Sequence, residues 1–382
     1  MNLLKPEHNQ LLNQVASMVL KPSPVREKVF NDTEFIKHTE EYFMLDYVPT
    51  TQVVAQMVDW QSEPKNVIPI PTPPPISVKV HRFFESYAVS VYDIEPFLSS
   101  QNAYYRAVEQ LAANKFKLAM PREGIDALEM FRKTKIANIG LQFAMRYDNH
   151  RVAFENSLLS TGAYTYADPT LSAIKTEFKF LSQTAVKTWN DLDNATPLTD
   201  IEEALQKFQN NKLTVGAIFM GRTAANNFIK NKKEIINQAV SVQGASVIVQ
   251  SPEIELSKNK IYDPFAGYQE IGNYKGIPIY MISKEVEVPT PNGKTVMVET
   301  FDTNAVSFVA LNDILYNRNF FVVHRELNYM DEDSGKMDTK KEEMVSYFGK
   351  VDDTQKRVNF YCESTFAPVM TNPNALLILN VA

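Results

Sequence analysis

The period of the apolar positions changes several times along the chain, and each change marks a candidate element. From about Ile125 to Ser160 the spacing is helical, with Leu128, Phe131, Ile136, Ile139, Phe143, Tyr147, Phe154 and Leu158 recurring on one side. Gly162 follows as a stop. Unbroken, such a helix is roughly 50 Å long at 1.5 Å per residue, beyond the usual helix of a compact domain. Gly140 and the Asn149–His150 step are places where it could bend or split, the glycine costing about 1 kcal/mol. A long, one-sided helix predicts a sheet lying along its length.

Other stretches read more briefly. Ser99 and Ser100 can cap a helix over NAYYRAVEQLAANKF, and Pro121-Arg122-Glu123 resembles a helix start. Thr199 and Asp200 can cap a helix over Ile201–Gln209. Val215–Met220 reads as a buried strand, followed by a helix through RTAANNFIKNKKEIINQAV. Asn292–Gly293 is a strong hairpin signal within Glu285–Thr300. Strands are expected at Ala305–Leu311, Phe320–Arg325 and Arg357–Ser364, and the closing ALLILNVA is an apolar strand. The alternation Ile76-Ser77-Val78-Lys79-Val80-His81-Arg82-Phe83-Phe84 predicts one further strand.

The first part of the chain has a different character. Residues 1 to about 48 carry short apolar runs (Leu11, Leu12, Val15, Met18, Val19), too few for a core, and read as an arm needing a surface to lie on. Between Pro49 and Pro75 stand Pro49, Pro64, Pro69, Pro71, Pro73, Pro74 and Pro75, a density that excludes helix and central strand. The same stretch is apolar, with Val53, Val54, Met57, Val58, Trp60, Val67, Ile68 and Ile70, whereas linkers are normally polar. An extended, apolar, proline-stiffened segment is suited to lying on a second molecule, the alternative being an intrachain strand pair tucked against the body. Met57, Trp60, Ile68, Ile70, Phe83 and Phe84 are the candidate contact residues; burial within the same subunit is the alternative for the last two.

Composition narrows the function classes. The 382 residues are 44% hydrophobic and 22% charged, enough to bury a sizeable core in two or three compact units. The net charge of −6 argues against tight nucleic-acid binding, which needs cations to replace phosphate counterions. A single cysteine, Cys362, excludes an internal disulfide, and its place in RVNFYCES predicts a buried strand residue rather than a nucleophile. Neither a signal peptide nor a membrane-length apolar run is present, so a soluble protein made in a reducing cytoplasm is expected.

The search for chemistry yields little. Gly267-Tyr-Gln-Glu-Ile-Gly272-Asn-Tyr-Lys275 has its lysine misplaced for a phosphate loop. The five histidines, His8, His38, His81, His150 and His324, show no metal spacing. Asp331-Glu332-Asp333-Ser334-Gly335 fits a solvated acidic turn better than a calcium loop. Asp191, Asp193, Asp200, Glu202 and Glu203 cluster in sequence without a nucleophile or metal partner beside them. Lys230, Lys232 and Lys233 lack the aromatic neighbours that stack single strands. No catalytic residue, cofactor site or metal site is assigned.

Two motifs carry a resemblance. TWNDLDNATPLTDIEEAL (Thr188–Leu205) and ESTFAPVMTNPNALLILNVA (Glu363–Ala382) resemble the lambda-type major capsid (head) protein family, major capsid protein E. Trp189, Pro197, Asp200, Ile201 and Glu202 match its Trp, Pro and Asp-Ile-Glu pattern, and Ala367, Pro368, Asn372 and Pro373 match its ending. RVAFENSLLSTGAY (Arg151–Tyr164) is similar to the end of its spine helix and the following glycine turn. The resemblance implies an α+β, Hong Kong 97-type capsid fold. The arm would be 1–48 and the extended loop 49–92. The peripheral domain with the spine helix would take 93–187 and 319–366, and the axial domain 188–318 and 367–382.

That family membership implies a self-assembling, non-enzymatic subunit of a tailed-bacteriophage head. Its partners would be further copies in pentamers and hexamers, together with scaffolding, portal and possibly decoration proteins. The shell would enclose double-stranded DNA without sequence-specific binding or membrane contact, assembling in the host cytoplasm and ending in the virion capsid. An encapsulin-like compartment around protein cargo, and from another class a soluble hydrolase with an unrecognised site, stay open at this point.

Overall fold

The computed structural model describes residues 23–30, 35–38, 40, 42–45, 75–90, 127–166, 174–236, 254–256, 267–289, 295–311, 318–325, 328–330, 337–339, 345–352 and 357–382. The helices are α1 (Pro24–Lys28), α2 (Ala127–Thr161), α3 (Pro197–Asn210) and α4 (Arg222–Lys230), the last followed by a π turn over Lys232–Ile236. The first strands are β1 (Phe35–His38), β2 (Tyr42–Leu45), β3 (Ile76–Lys79), β4 (His81–Ser90), β5 (Ala163–Tyr166), β6 (Ile174–Glu177) and β7 (Leu181–Thr184). Then come β8 (Val215–Gly221), β9 (Ile254–Leu256), β10 (Tyr268–Tyr274), β11 (Ile277–Ile282), β12 (Glu285–Pro289), β13 (Thr295–Glu299) and β14 (Ala305–Ala310). The last are β15 (Phe320–Arg325), β16 (Asn328–Met330), β17 (Met337–Thr339), β18 (Val345–Asp352), β19 (Arg357–Met370) and β20 (Leu376–Asn380).

The chain divides into two compact units. Among the described residues the first draws on His81–Arg151 and Arg325–Phe366, the second on Pro22–Val80, Val152–His324 and Ala367–Ala382. The helix α2 and the strand β19 each contribute residues to both.

In the first unit β18, β19 and β4 form antiparallel ladders, with Phe360 of β19 opposite Gly349 and Tyr87. Alternation sends Val89 from β4 and Val358, Phe360 and Cys362 from β19 to one face, where they meet Ile136, Ile139, Phe143 and Ala144 of α2. The 3-4-1 spacing along α2 keeps these side chains on one stripe, so the sheet predicted to lie along the helix is found. Each such side chain, fully buried, contributes roughly 1.5–3 kcal/mol. Cys362 is a fully buried thiol in this core.

The second unit is built on a seven-stranded mixed sheet in the order β7-β20-β14-β8-β11-β10-β9. The pairs β7–β20 and β8–β11 are parallel and the others antiparallel. Its central strands are near-continuous apolar runs, AVSFVA in β14 and LLIL in β20, which suits strands covered on both faces. Ile201, Ala204 and Phe208 of α3 and Ala224, Ala225 and Phe228 of α4 are buried in this unit. The C-terminal part of α2 is bound here by polar contacts. Ser307 Oγ donates to the Leu159 carbonyl at 2.7 Å, Asn156 Nδ2 to Thr300 Oγ1 at 2.8 Å, and Tyr268 Oη to Asn156 Oδ1 at 3.2 Å.

Several expectations are refined. α2 runs unbroken through Gly140 and Asn149–His150 for 35 residues, about 52 Å at the helical rise. The alternating run 76–84 is not one strand. It splits at Val80 because β3 pairs with β2 and β4 pairs with β19. The helix expected at Ile201 starts at Pro197, with Leu198 N–H capped by Glu234 Oε2 at 2.6 Å, so Asp200 is not its cap. The helix predicted over 102–116 lies outside the described residues. Part of the presumed arm is anchored. Val25, Val29 and Phe30 are buried, Ser23 Oγ accepts the Arg26 amide hydrogen at 3.0 Å, Arg26 meets Glu155 at 3.7 Å, and Phe30 packs edge-on to Phe320.

Two consequences are measurable. Gly162 ends α2 with φ +69°, and its N–H returns to the Leu158 carbonyl at 2.9 Å. A Cβ at this position would run into the Phe180 ring. Gly162→Ala is expected to lower unfolding free energy by about 1–3 kcal/mol, read as a shift in urea midpoint at constant slope. His150 is packed between Phe83 and Phe366, and burial pulls its imidazole from 6.5 down to about 4. The unfolded chain therefore takes up this proton first as pH falls. The stabilisation is complete above pH 6.5 and is lost progressively down to about pH 4, on the order of 3 kcal/mol in all. His150→Gln should flatten the stability-versus-pH curve across that window, whatever its absolute stability.

Candidate assembly surfaces

The candidate contact residues separate into two groups. Met57, Trp60, Ile68 and Ile70 lie outside the described residues. Phe83 and Phe84 are adjacent on β4, so strand alternation sends them to opposite faces. Phe83 turns inward, packs on the first unit's core, and meets Tyr147 edge-on at 5.9 Å. Phe84 turns outward, is 47% exposed, and stacks on Tyr361 with rings 5.6 Å apart and 9° from parallel. The Arg82 guanidinium lies 4.5 Å over the Phe84 ring while bonding Glu363 at 2.6 Å. This leaves an aromatic platform with a paired charge on the outer face of the β4–β19 ladder.

β2 and β3 are antiparallel, with Leu45 opposite Ile76, so the two ends of the proline-rich stretch are neighbours; the stretch itself, as far as Pro74, lies outside the described residues. Tyr42 and Met44 on β2 are 47% and 61% exposed at its root.

A further apolar surface was not singled out from sequence. β12 and β13 form a two-stranded sheet in which Val286 faces Val298 and Val288 faces Val296. Val288, Val296, Met297 and Val298 are 43–54% exposed. On the opposite face Glu285 and Glu299 stand directly across from each other, and Arg222 binds both, at 2.7 and 3.3 Å. Without that cation two like charges would oppose at the base of the hairpin. The two strands flank the Asn292–Gly293 signal, which itself lies outside the described residues, but alternating valines predict a buried face. The three consecutive apolar residues Val296-Met297-Val298, which must occupy both faces, are the clue in the sequence.

The motifs examined for chemistry have structural explanations. Trp189 is buried and donates its indole N–H to Asp200 Oδ2 at 2.9 Å, while Asp200 Oδ1 accepts from the Val186 amide at 3.3 Å. Pro197 opens α3, where its fixed φ and missing N–H are no cost. Glu202 accepts from Tyr274 Oη at 2.7 Å and Lys275 Nζ at 2.8 Å. The lysine first, then the tyrosine, holds the carboxyl below its usual range. Burial, then Glu202, pushes the Tyr274 phenol up to about 12. The Asp191 carboxyl is lowered mainly by its Asn194 hydrogen bond in a local turn. The glycine-containing run 267–275 is strand β10, with a bulge before Gly272 and a turn at Lys275–Gly276, both at positive φ. The acidic turn 331–335 lies outside the described residues. Among the described residues no cluster of His, Cys, Asp or Glu is placed to hold a metal, and no helix is long and apolar enough to cross a membrane.

No protein-family model matches the chain, and no curated protein matches it by sequence. Solved structures do match over nearly the whole length. A capsid protein of a prophage of Escherichia coli CFT073 superposes with a TM-score of 0.54 at 13% identity, over 97% of both chains. The mature capsid of bacteriophage PhiM1 gives 0.46 at 11% identity, covering 94% of this chain and 87% of that one. An encapsulin of Synechococcus elongatus PCC 7942 gives 0.41 at 10% identity, covering 95% and 90%. At such identities the likeness is one of fold, and the prophage protein carries it. The long helix α2 ending at Gly162, the β4–β19–β18 ladders and the seven-stranded sheet together are the α+β fold of a phage capsid subunit, of the Hong Kong 97 type.

Proposed function

We propose that this chain is the major capsid protein of a tailed bacteriophage, a structural subunit whose copies close into an icosahedral shell around the genome. The observation that carries the proposal beyond fold is the β2–β3 ladder. It joins Leu45 to Ile76, so residues 46–75 leave and return together, and seven of them are proline. Each leg of about 15 residues can reach up to roughly 50 Å at 3.3 Å per residue. A compact chain of this length has a radius of gyration of only about 21 Å. The excursion is long enough to reach a neighbouring copy, and its valines, isoleucines, Met57 and Trp60 supply apolar area to bury there.

In this reading the arm is 1–48, with Ser23–Phe30 as its anchor, and 49–92 is the extended loop continuing into β4. The peripheral domain comprises 93–187 and 319–366, and the axial domain 188–318 and 367–382. Shells of pentamers and hexamers follow, with scaffolding and portal proteins as partners, assembly in the host cytoplasm, and DNA enclosed without base recognition. The net charge of −6 supports that last point, because an acidic wall does not hold the packaged polymer. Each contact can be weak, since every subunit in a shell is held by several neighbours at once.

The purified chain is expected to form closed shells or capsomer rings visible by electron microscopy. Dispersed monomers at high concentration would overturn the proposal. Trp60→Ala should cut particle yield at least tenfold while circular dichroism and the thermal transition of the subunit stay unchanged. Normal yield from that variant would remove the extended loop from assembly.

A further inference from the structure

We infer that β13 is a self-pairing edge, through which two copies of this chain join their hairpins into one four-stranded sheet; the inference rests on the shell-building reading above. β12 and β13 pair only with each other among the described residues, so each presents an outer row of backbone donors and acceptors. Natural sheets guard such edges with charge, proline or a bulge. β12 is guarded, by Glu285, Glu287 and Pro289. β13 reads Thr-Val-Met-Val-Glu, and its three central residues are uncharged and 45–54% exposed.

The charge pattern selects both the strand and the occupant. If two β13 strands run antiparallel about Met297, each Val296 stands opposite the other copy's Val298, and Met297 opposite its own counterpart. Thr295 stands opposite Glu299, so no like charges oppose. The same operation on β12 would set Glu287 against Glu287 and ask Pro289 for a hydrogen it lacks. Glu299 is already paired within its own subunit with Arg222, which it shares with Glu285. The valines of both hairpins would then form one continuous apolar face. Five residues per strand bury far less than the roughly 1,200–2,000 Å² of a stable complex. The occupant is therefore a copy held in place by other contacts as well, as in a shell, and not a partner in a free dimer.

Cysteine crosslinking in the full chain tests this. The native Cys362 is fully buried and gives little background. Directly opposed residues have Cα atoms about 4.5–5.5 Å apart, within disulfide range. Met297→Cys should give a disulfide-linked dimer on mild oxidation of assembled particles. Glu287→Cys, about 14 Å from its counterpart across three strand spacings, should give at least tenfold less. Particles that form without this crosslink, equal crosslinking at both positions, or capture of a different protein at position 297 would overturn the inference and leave the capsid reading standing. If the wild-type chain forms no particles, that reading fails. Without a shell the other contacts that β13 pairing needs are gone, and the inference falls with that reading.

Discussion

A helix of 35 residues carries more apolar stripe than one small core can cover, and this mismatch organises the molecule. Ile136, Ile139, Phe143 and Ala144 are taken up by the β4–β19 ladder. Val152, Phe154, Leu158 and Leu159 are buried in the other unit, with Asn156 and the Leu159 carbonyl tied to Thr300 and Ser307. One continuous element thus serves two cores. β19 does the same as a strand. Arg357–Phe366 pairs with β4, and Ala367–Met370 pairs with β15. Because helix and strand interiors tolerate no unpaired backbone groups when buried, neither is easily broken.

The remaining surface reflects the same economy. Apolar side chains left over after the cores are filled gather at a few places: the root of the β2–β3 excursion, the Phe84–Tyr361 stack and the β12–β13 hairpin. A lone two-stranded hairpin is marginal in water. This one is held at its base by Arg222 across Glu285 and Glu299 and by Thr300 on the Lys284 carbonyl. Its valine face is kept presented rather than collapsed.

Elements with strong periodicity were legible from residues alone. α2, β8, β14, β15, β20 and the paired strands β12 and β13 lie where spacing places them. Trp189 and Asp200 stood out in sequence as motif residues, but Asp200 was read as a helix cap, and spacing did not reveal that its carboxylate accepts the buried Trp189 indole hydrogen. What spacing could not reveal is which neighbour each face meets. Alternation across 76–84 is the same whether the strand continues or changes partner at Val80, and only the ladders distinguish the two. Phe83 and Phe84 are chemically identical, and their fates differ by one step of pleat. Exposure of the hairpin valines was equally hidden, because period 2 identifies two faces without saying which is covered.

The anchoring of Ser23–Phe30 has a consequence for processing. Val25 and Phe30 are sunk in the second unit, while the Ser23 hydroxyl accepts from the Arg26 amide at the head of α1. A peptidase that trimmed the chain anywhere ahead of Pro22 would leave all of these contacts in place. A cut immediately before Ser23 would instead put a free ammonium beside the donor end of that turn, where positive charge is unfavourable. The burial of Val25, Val29 and Phe30 and the Ser23 cap are thus complete within residues 23–30 and the unit they pack on.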